Sequence, residues 1–221
     1  MKESASKTDH KSSLDDPVKP RQRNALKKRD RILSAALDVF SVYGLHGASM
    51  DQIAAVADVS KANLFYYSKS KEHLYLSVLE SLLDDWLEPL TLFSIEQEPA
   101  QALRHYVRTK LEIARDHPAE SRLFCMEIVQ GAPLLNKTLS TSLRNLVKDK
   151  STVIQHWIDS GKIRSISPMH LIFSIWATTQ HYSDFSAQVE AVTGKTLADK
   201  EFFNTTLANL ERLLVDSILT N

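Results

Sequence analysis

The sequence is poor in cysteine and glycine. Cys125 is the only thiol, and five glycines are spread over 221 residues. A lone thiol closes no internal disulfide, which fits a reducing compartment. No apolar run approaches the roughly 18 residues needed to span a bilayer. The opening stretch MKESASKTDHKSSLDDPVKPRQR lacks the apolar centre of a secretory signal, so the expected location is the cytoplasm, with no membrane partner. No phosphate-cradling glycine loop and no H-E-x-x-H pair is present. Beyond Ser70 no segment alternates apolar and polar residues as a half-buried strand would. With 43% hydrophobic and 24% charged residues, the composition is that of a helix-rich globular protein.

Net charge is missing too, since the formal sum is zero. Its distribution is uneven. Residues 1–71 hold 13 Lys/Arg against 8 Asp/Glu, and residues 72–221 hold 14 against 19. A basic N-terminal part beside an acidic remainder suits phosphate contact at one end and assembly or ligand binding at the other.

Residues 1–23 are polar, carry Pro17 and Pro20 and show no apolar period, so they read as a disordered arm. A helix is expected from about Asn24, with Ile32, Leu33, Ala36, Val39, Phe40 and Tyr43 at helical spacing and Gly44 as a left-handed cap. Ser49 and Ser60 are candidate N-caps of two short helices joined through Ala57-Asp58-Val59-Ser60. So tight a joint makes a helix-turn-helix, whose second helix is shaped for the major groove. Ser70 reads as the next cap. Further helices are expected over 71–93, 99–116, 119–130, 135–160, 168–186 and 199–219, with breaks at Pro99, Pro118, Gly131-Ala132-Pro133, Gly161, Pro168 and Gly194. The fold class is all-α: a three-helix DNA-binding domain over 24–70, then a larger helical ligand-binding and dimerisation domain over 71–221.

The stretch Arg31 to Leu74, RILSAALDVFSVYGLHGASMDQIAAVADVSKANLFYYSKSKEHL, resembles the DNA-binding domain of the TetR family of bacterial regulators. It combines an A-x-x-x-F core helix, a Y-G-x-x-G turn, an I-A-x-x-A second helix, V-S-K opening the recognition helix, Tyr66-Tyr67 and a closing S-K-x-x-L. The resemblance implies a homodimer that binds a pseudo-palindromic operator in double-stranded DNA and a small effector. Segments 121–135, 170–185 and 188–197 resemble a pyrimidine-utilisation regulator of that family, which implies uracil or thymine as effector. Two positions depart from the family. Asp58 stands where glycine is usual in the turn, and Ser68-Lys69 replaces a common aromatic residue and its neighbour, which predicts looser packing against the following helix.

Lys61, Asn63 and Tyr66 are the candidate groove-facing residues, with Leu64 and Phe65 packing inward. Asn pairs with adenine and Lys reaches guanine or phosphate. Tyr67, Lys71, Ser49 and Lys69 are candidates for phosphate contact. The basic run Lys19, Arg21, Arg23, Lys27, Lys28, Arg29 and Arg31 fits a DNA-tracking arm and a solvated face equally well.

Trp176 and Gln180 lie one helical turn apart. An indole walls a flat heterocycle, and a Gln amide matches an imide edge with one donor and one acceptor. Spacing alone favours a buried Trp and an interfacial Gln; the resemblance turns the pair toward a ligand. Phe124, Cys125, Glu127, Thr179 and Asp184 are further candidates for that pocket. The stripe Leu207, Leu210, Leu214 and Ile218, beside helix 171–185, is expected at a four-helix dimer contact, although it is also wide enough to bury in its own domain. His181, Asp184 and His170 lack the spacing of a metal site, so no metal and no cofactor is expected. The rival readings are the same fold answering another effector, and a helical hydrolase or metal enzyme using His181, Asp184 and Cys125, for which the sequence offers no positive feature.

Overall fold

The computed structural model describes residues 20–220, and their side chains from Leu26 onward. Helix α1 (Pro20–Gly47) is broken at Gly44, whose φ of 65° and ψ of 180° lie outside helical geometry. The expected stop at Gly44 is thus a kink, and one more turn follows to Gly47. Residues 20–23, read as the end of the arm, are instead helical; the rest of the arm, Lys19 included, lies outside the described residues.

Two short helices follow, α2 (Met50–Val56) and α3 (Lys61–Tyr67). Helix α4 (Lys71–Thr91) then runs through Pro89. Proline begins α5 (Pro99–Asp116) and α6 (Pro118–Val129), where its missing N–H leaves no helical bond unmade. The single helix expected over 135–160 resolves into α7 (Asn136–Thr138), a π-helical turn at Leu139–Leu143 and α8 (Arg144–Asp159). Helix α9 (Pro168–Asp184) also starts on proline. A separate helix, α10 (Ser186–Thr193), ends in a left-handed Gly194 cap where the sequence suggested only a connection. The last helix, α11 (Lys200–Glu211), passes into a second π turn, Arg212–Asp216. Among the described residues the only β-type pairing is an isolated bridge between Ile163 and Leu219.

Two cores result. One joins α5, α8, α9 and α11 around Tyr106, Ile154, Trp157 and Ile172. The other joins the helix-turn-helix to Leu74, Tyr75, Val78, Leu79 and Leu82 of α4 and to Leu123 of α6. A boundary drawn at residue 70 therefore cuts a continuous core, because the first half of α4 packs with the helix-turn-helix. Leu207, Leu210 and Ile218 are buried in the first core, with Leu214 packed against it. That stripe faces its own domain rather than a partner.

Candidate DNA-reading head and effector cavity

Reciprocal capping sets the entry of α2. Ser49 Oγ accepts from the Gln52 N–H at 3.2 Å, and Gln52 Oε1 accepts from the Ser49 N–H at 2.8 Å. The Ser60 hydroxyl accepts from the Asn63 N–H at 3.2 Å to start α3. Between them Asp58 adopts φ +50°, the left-handed turn that glycine usually supplies, and its carbonyl accepts from Arg31 at 3.2 Å.

Lys61, Asn63 and Tyr66 are exposed together on α3, Tyr66 by 85%. Phe65, expected inward, is 43% exposed. The cause is helical phase: adjacent residues point about 100° apart, and in so short a helix Leu64 alone reaches the core. Lys61 Nζ pairs with Asp51 at 2.9 Å, but both side chains are more than half exposed. Such a pair contributes roughly 0–1 kcal/mol, so a phosphate can displace it. Tyr67 is half-buried edge-on to Tyr66, with Lys28 Nζ 5.8 Å from its ring centroid. Lys69 is exposed.

The joint to α4 is hydrogen-bonded. Lys71 Nζ donates to the Ala48 carbonyl at 2.8 Å and to the His46 carbonyl at 3.4 Å, tying α4 to the end of α1. Buried Ser68 places Oγ 3.1 Å from the Ser70 carbonyl and 2.9 Å from His73 Nδ1. Polar contacts thus fill the joint where the missing aromatic predicted looseness.

Further along α4, Leu83, Trp86 and Leu87 line a cavity of about 310 Å³. Phe124 and Cys125 of α6 and Trp176, Gln180 and Asp184 of α9 line it as well. Five of the seven sequence candidates therefore converge. Thr179 and Glu127 do not line it. Fully buried Thr179 donates its hydroxyl to the Ile175 carbonyl at 2.7 Å. Glu127 accepts from the Leu134 and Leu135 N–H groups at 2.8 and 3.1 Å and so holds the loop after α6.

Lys110 of α5 was missed by the sequence reading, and it is the one cation in this lining. It is 4% exposed, with Nζ 5.4 Å from the Trp86 ring centroid. Burial pulls its pKa down to about 8, against the attraction of Asp184. Burial raises the Asp184 pKa, opposed by hydrogen bonds from Ser121, Cys125 and Ser183 and by the Lys110 charge. The Cys125 thiol is pushed up by burial and then by Asp184, so it is no activated nucleophile. A signal for Lys110 existed: it interrupts the apolar face carrying Leu103, Tyr106, Val107 and Ala114. The cavity thus offers one cation, one carboxylate and one amide between aromatic walls. His181 stacks on Phe185 at 5.2 Å between ring centroids, and no metal-competent cluster of three ligands occurs among the described residues.

Residues 32–78 match the family described as bacterial regulatory proteins, tetR family, and residues 79–221 match the YcdC-like protein C-terminal region. The chain belongs to the TetR family. It is 52% identical over 198 residues to the HTH-type transcriptional regulator RutR of Escherichia coli, covering 90% of this chain and 93% of RutR. It is 28% identical to the transcriptional repressor NicS of Pseudomonas putida, over 82% of this chain and 87% of NicS. A TetR-like transcriptional regulator from Rhodococcus sp. RHA1 superposes with a TM-score of 0.61 at 21% identity, covering 85% and 93% of the two chains, and shares the fold. Like other TetR-family regulators, the protein binds operator DNA and responds to a small ligand. Its relatives are transcription regulators, which removes the hydrolase reading. No described helix is long and apolar enough to cross a membrane.

Proposed function

We propose that this regulator is a cytoplasmic homodimeric repressor released from its operator by a pyrimidine base, uracil or thymine. The observation carrying this reading is the convergence of Trp176, Gln180, Lys110 and Asp184 on one small cavity. Its 310 Å³ lies at the low end of the roughly 300–1,000 Å³ of small-molecule sites, which favours a compact ring over an extended drug. A flat base stacks on Trp176, its carbonyl oxygens accept from Lys110 and the Gln180 amide, and its N–H donates to Asp184 or to the Gln180 oxygen.

Release follows from α4. Trp86 meets the base, and Lys71, about 22 Å away at 1.5 Å per residue, holds the head. A base that prefers one position of Trp86 favours one setting of the head, which changes the spacing of two recognition helices that must reach half-sites about 34 Å apart. In the dimer, the exposed stripe His170, Ala177 and His181 of α9, with Phe185 just beyond its end, packs beside Ala208 and 67%-exposed Leu213. Lys61, Asn63 and Tyr66 of α3 read the groove, while Tyr67, Lys69 and Lys71 donate to phosphates, and Ser49 does so by turning its hydroxyl proton away from Gln52 Oε1.

An electrophoretic shift with the chain's own promoter DNA, with and without uracil, tests the reading. Release by uracil and thymine but not by purine bases is the expected result. A shift indifferent to pyrimidines, with no uracil heat in calorimetry, assigns the cavity to another effector.

A further inference from the structure

Leu139 and Leu143 of the π-helical turn, with Trp176 of α9, line a second depression as well as the effector cavity. It is an open groove of about 720 Å³ between α8 and the start of α9. It has an apolar bed, Leu143 and Val147 on one side and Met169 and Phe173, about half exposed, on the other, while Ser151, Thr152, Gln155 and Ser167 add neutral polar groups to its lining. Its charged members are Arg144 and Lys148, one helical turn apart on α8, and no carboxylate lines it. The neighbouring Asp149 pairs instead with Lys150 at 3.1 Å. Two cations with no ion-pair partner among the described residues stand over this bed, in the part of the chain that carries the acidic excess.

We propose that this groove is a second ligand site, for an amphiphilic monocarboxylate whose chain lies over Leu143, Val147, Met169 and Phe173 and whose carboxylate is held by Arg144 and Lys148. The arginine fork matches a carboxylate's two oxygens, and the ammonium adds a point charge. An apolar chain is the body that fits. A sugar could pair with Ser151, Thr152, Gln155 and Ser167, but it would leave the bed of Leu143, Val147, Met169 and Phe173 without an apolar partner. The groove opens on the flank of α9 about a quarter turn from His170, Ala177 and His181, the stripe assigned to the partner protomer, so it is accessible in a dimer. Because Leu139, Leu143 and Trp176 belong to both sites, an occupant of one repositions the wall of the other. Each ligand then changes the other's affinity by the same factor, a consequence that rests on the pyrimidine reading, whereas the groove itself does not.

Calorimetric titration of the full-length protein with octanoate, without uracil, tests the site. One saturable event per chain is expected. Arg144→Gln/Lys148→Gln weakens it about tenfold or more, and 1-octanol, with the same chain and no charge, binds weaker by a similar factor. Both replaced residues are exposed, so a melting curve matching the parent's is expected and separates impaired binding from impaired folding. Repeating the titration with uracil present should change octanoate affinity without abolishing binding. No saturable octanoate binding, equal binding of octanol, or parental affinity in the double variant overturns the proposal. If the parent binds octanoate as described and with the same affinity in uracil, the groove stands and the coupling falls, whereas an absence of uracil heat without octanoate overturns the pyrimidine reading alone.

Discussion

The indole N–H of Trp176 donates to the hydroxyl of Tyr106 at 2.6 Å, joining α9 to α5 at the wall of the candidate effector cavity. Tyr106 is almost wholly buried, and burial raises its hydroxyl pKa above that of an ordinary phenol, against the pull of the Trp176 bond. It is therefore a neutral acceptor that fixes the plane of the indole. Tyr106→Phe preserves the ring and leaves the indole N–H unpaired, at about 1–3 kcal/mol. For a chain of this size the midpoint of thermal unfolding should fall by roughly 2–4 °C per kcal/mol. Calorimetric melting checks this, and an unchanged midpoint would show that the bond carries no net stability.

Lys110 predicts a pH dependence of opposite sign to that of a paired surface lysine. Its folded pKa is depressed to about 8, below the 10.5 of the exposed group. Between those values the unfolded chain binds more protons than the folded one, so this residue makes stability rise as pH increases from about 8 toward 10.5. Below the folded pKa both states are protonated and the penalty stays constant. Lys110→Met removes the ionisation, and the rise through that window should flatten. Denaturant titrations at several pH values measure it; equal slopes in parent and variant would place the ammonium in water.

On the DNA-reading head, Asp51 pairs with Lys61, and its negative charge would repel any phosphate that Lys61 approaches. Asp51→Asn frees Lys61 and removes that repulsion, so operator affinity should increase. Lys61→Ala and Tyr66→Ala should decrease it, and all three should leave the oligomer unchanged, since none reaches the α9 stripe. The slope of log K against log salt should become shallower by about 0.9 for each phosphate that a variant no longer neutralises. A parental salt slope in Lys61→Ala would keep this lysine on a base edge or in solvent, and a shallower one would place it on a phosphate.

The head was legible almost residue by residue, because its caps are local: Ser49, Ser60 and Ser70 each accept from the N–H three residues on. The cavity was legible in part. Trp176 and Gln180 follow from i,i+4 spacing, but periodicity does not give the phase of a helix against its neighbours. Thr179, next to Gln180, thus went to the core rather than the site. Glu127 is bound by N–H groups that only the closing loop at Gly131, φ +90°, brings to it. The π turns at Leu139–Leu143 and Arg212–Asp216 have no residue signature, since every residue there is an ordinary helix or turn former. Lys110 was visible as a charge on an apolar face, but its neighbours Trp86 and Asp184 come from helices distant in sequence.

The effector assignment is tested most sharply by two substitutions in the cavity. Gln180→Leu keeps most of the side-chain volume and removes the adjacent donor and acceptor, leaving the imide edge of a bound base unsatisfied at about 1–3 kcal/mol, or roughly fivefold to more than a hundredfold in affinity. Trp176→Ala removes the stacking wall and also frees the Tyr106 hydroxyl, so its effect on affinity should exceed that of Gln180→Leu. Neither residue belongs to the head. Both variants should therefore shift operator DNA at parental protein concentrations, yet uracil that releases the parent should leave them bound. Uracil should also raise the melting temperature of the parent, because a ligand bound only by the folded state stabilises it by mass action. That rise should shrink in Gln180→Leu and nearly vanish in Trp176→Ala. Parental uracil affinity in Gln180→Leu would remove the amide from the site and leave recognition to Lys110 and Asp184.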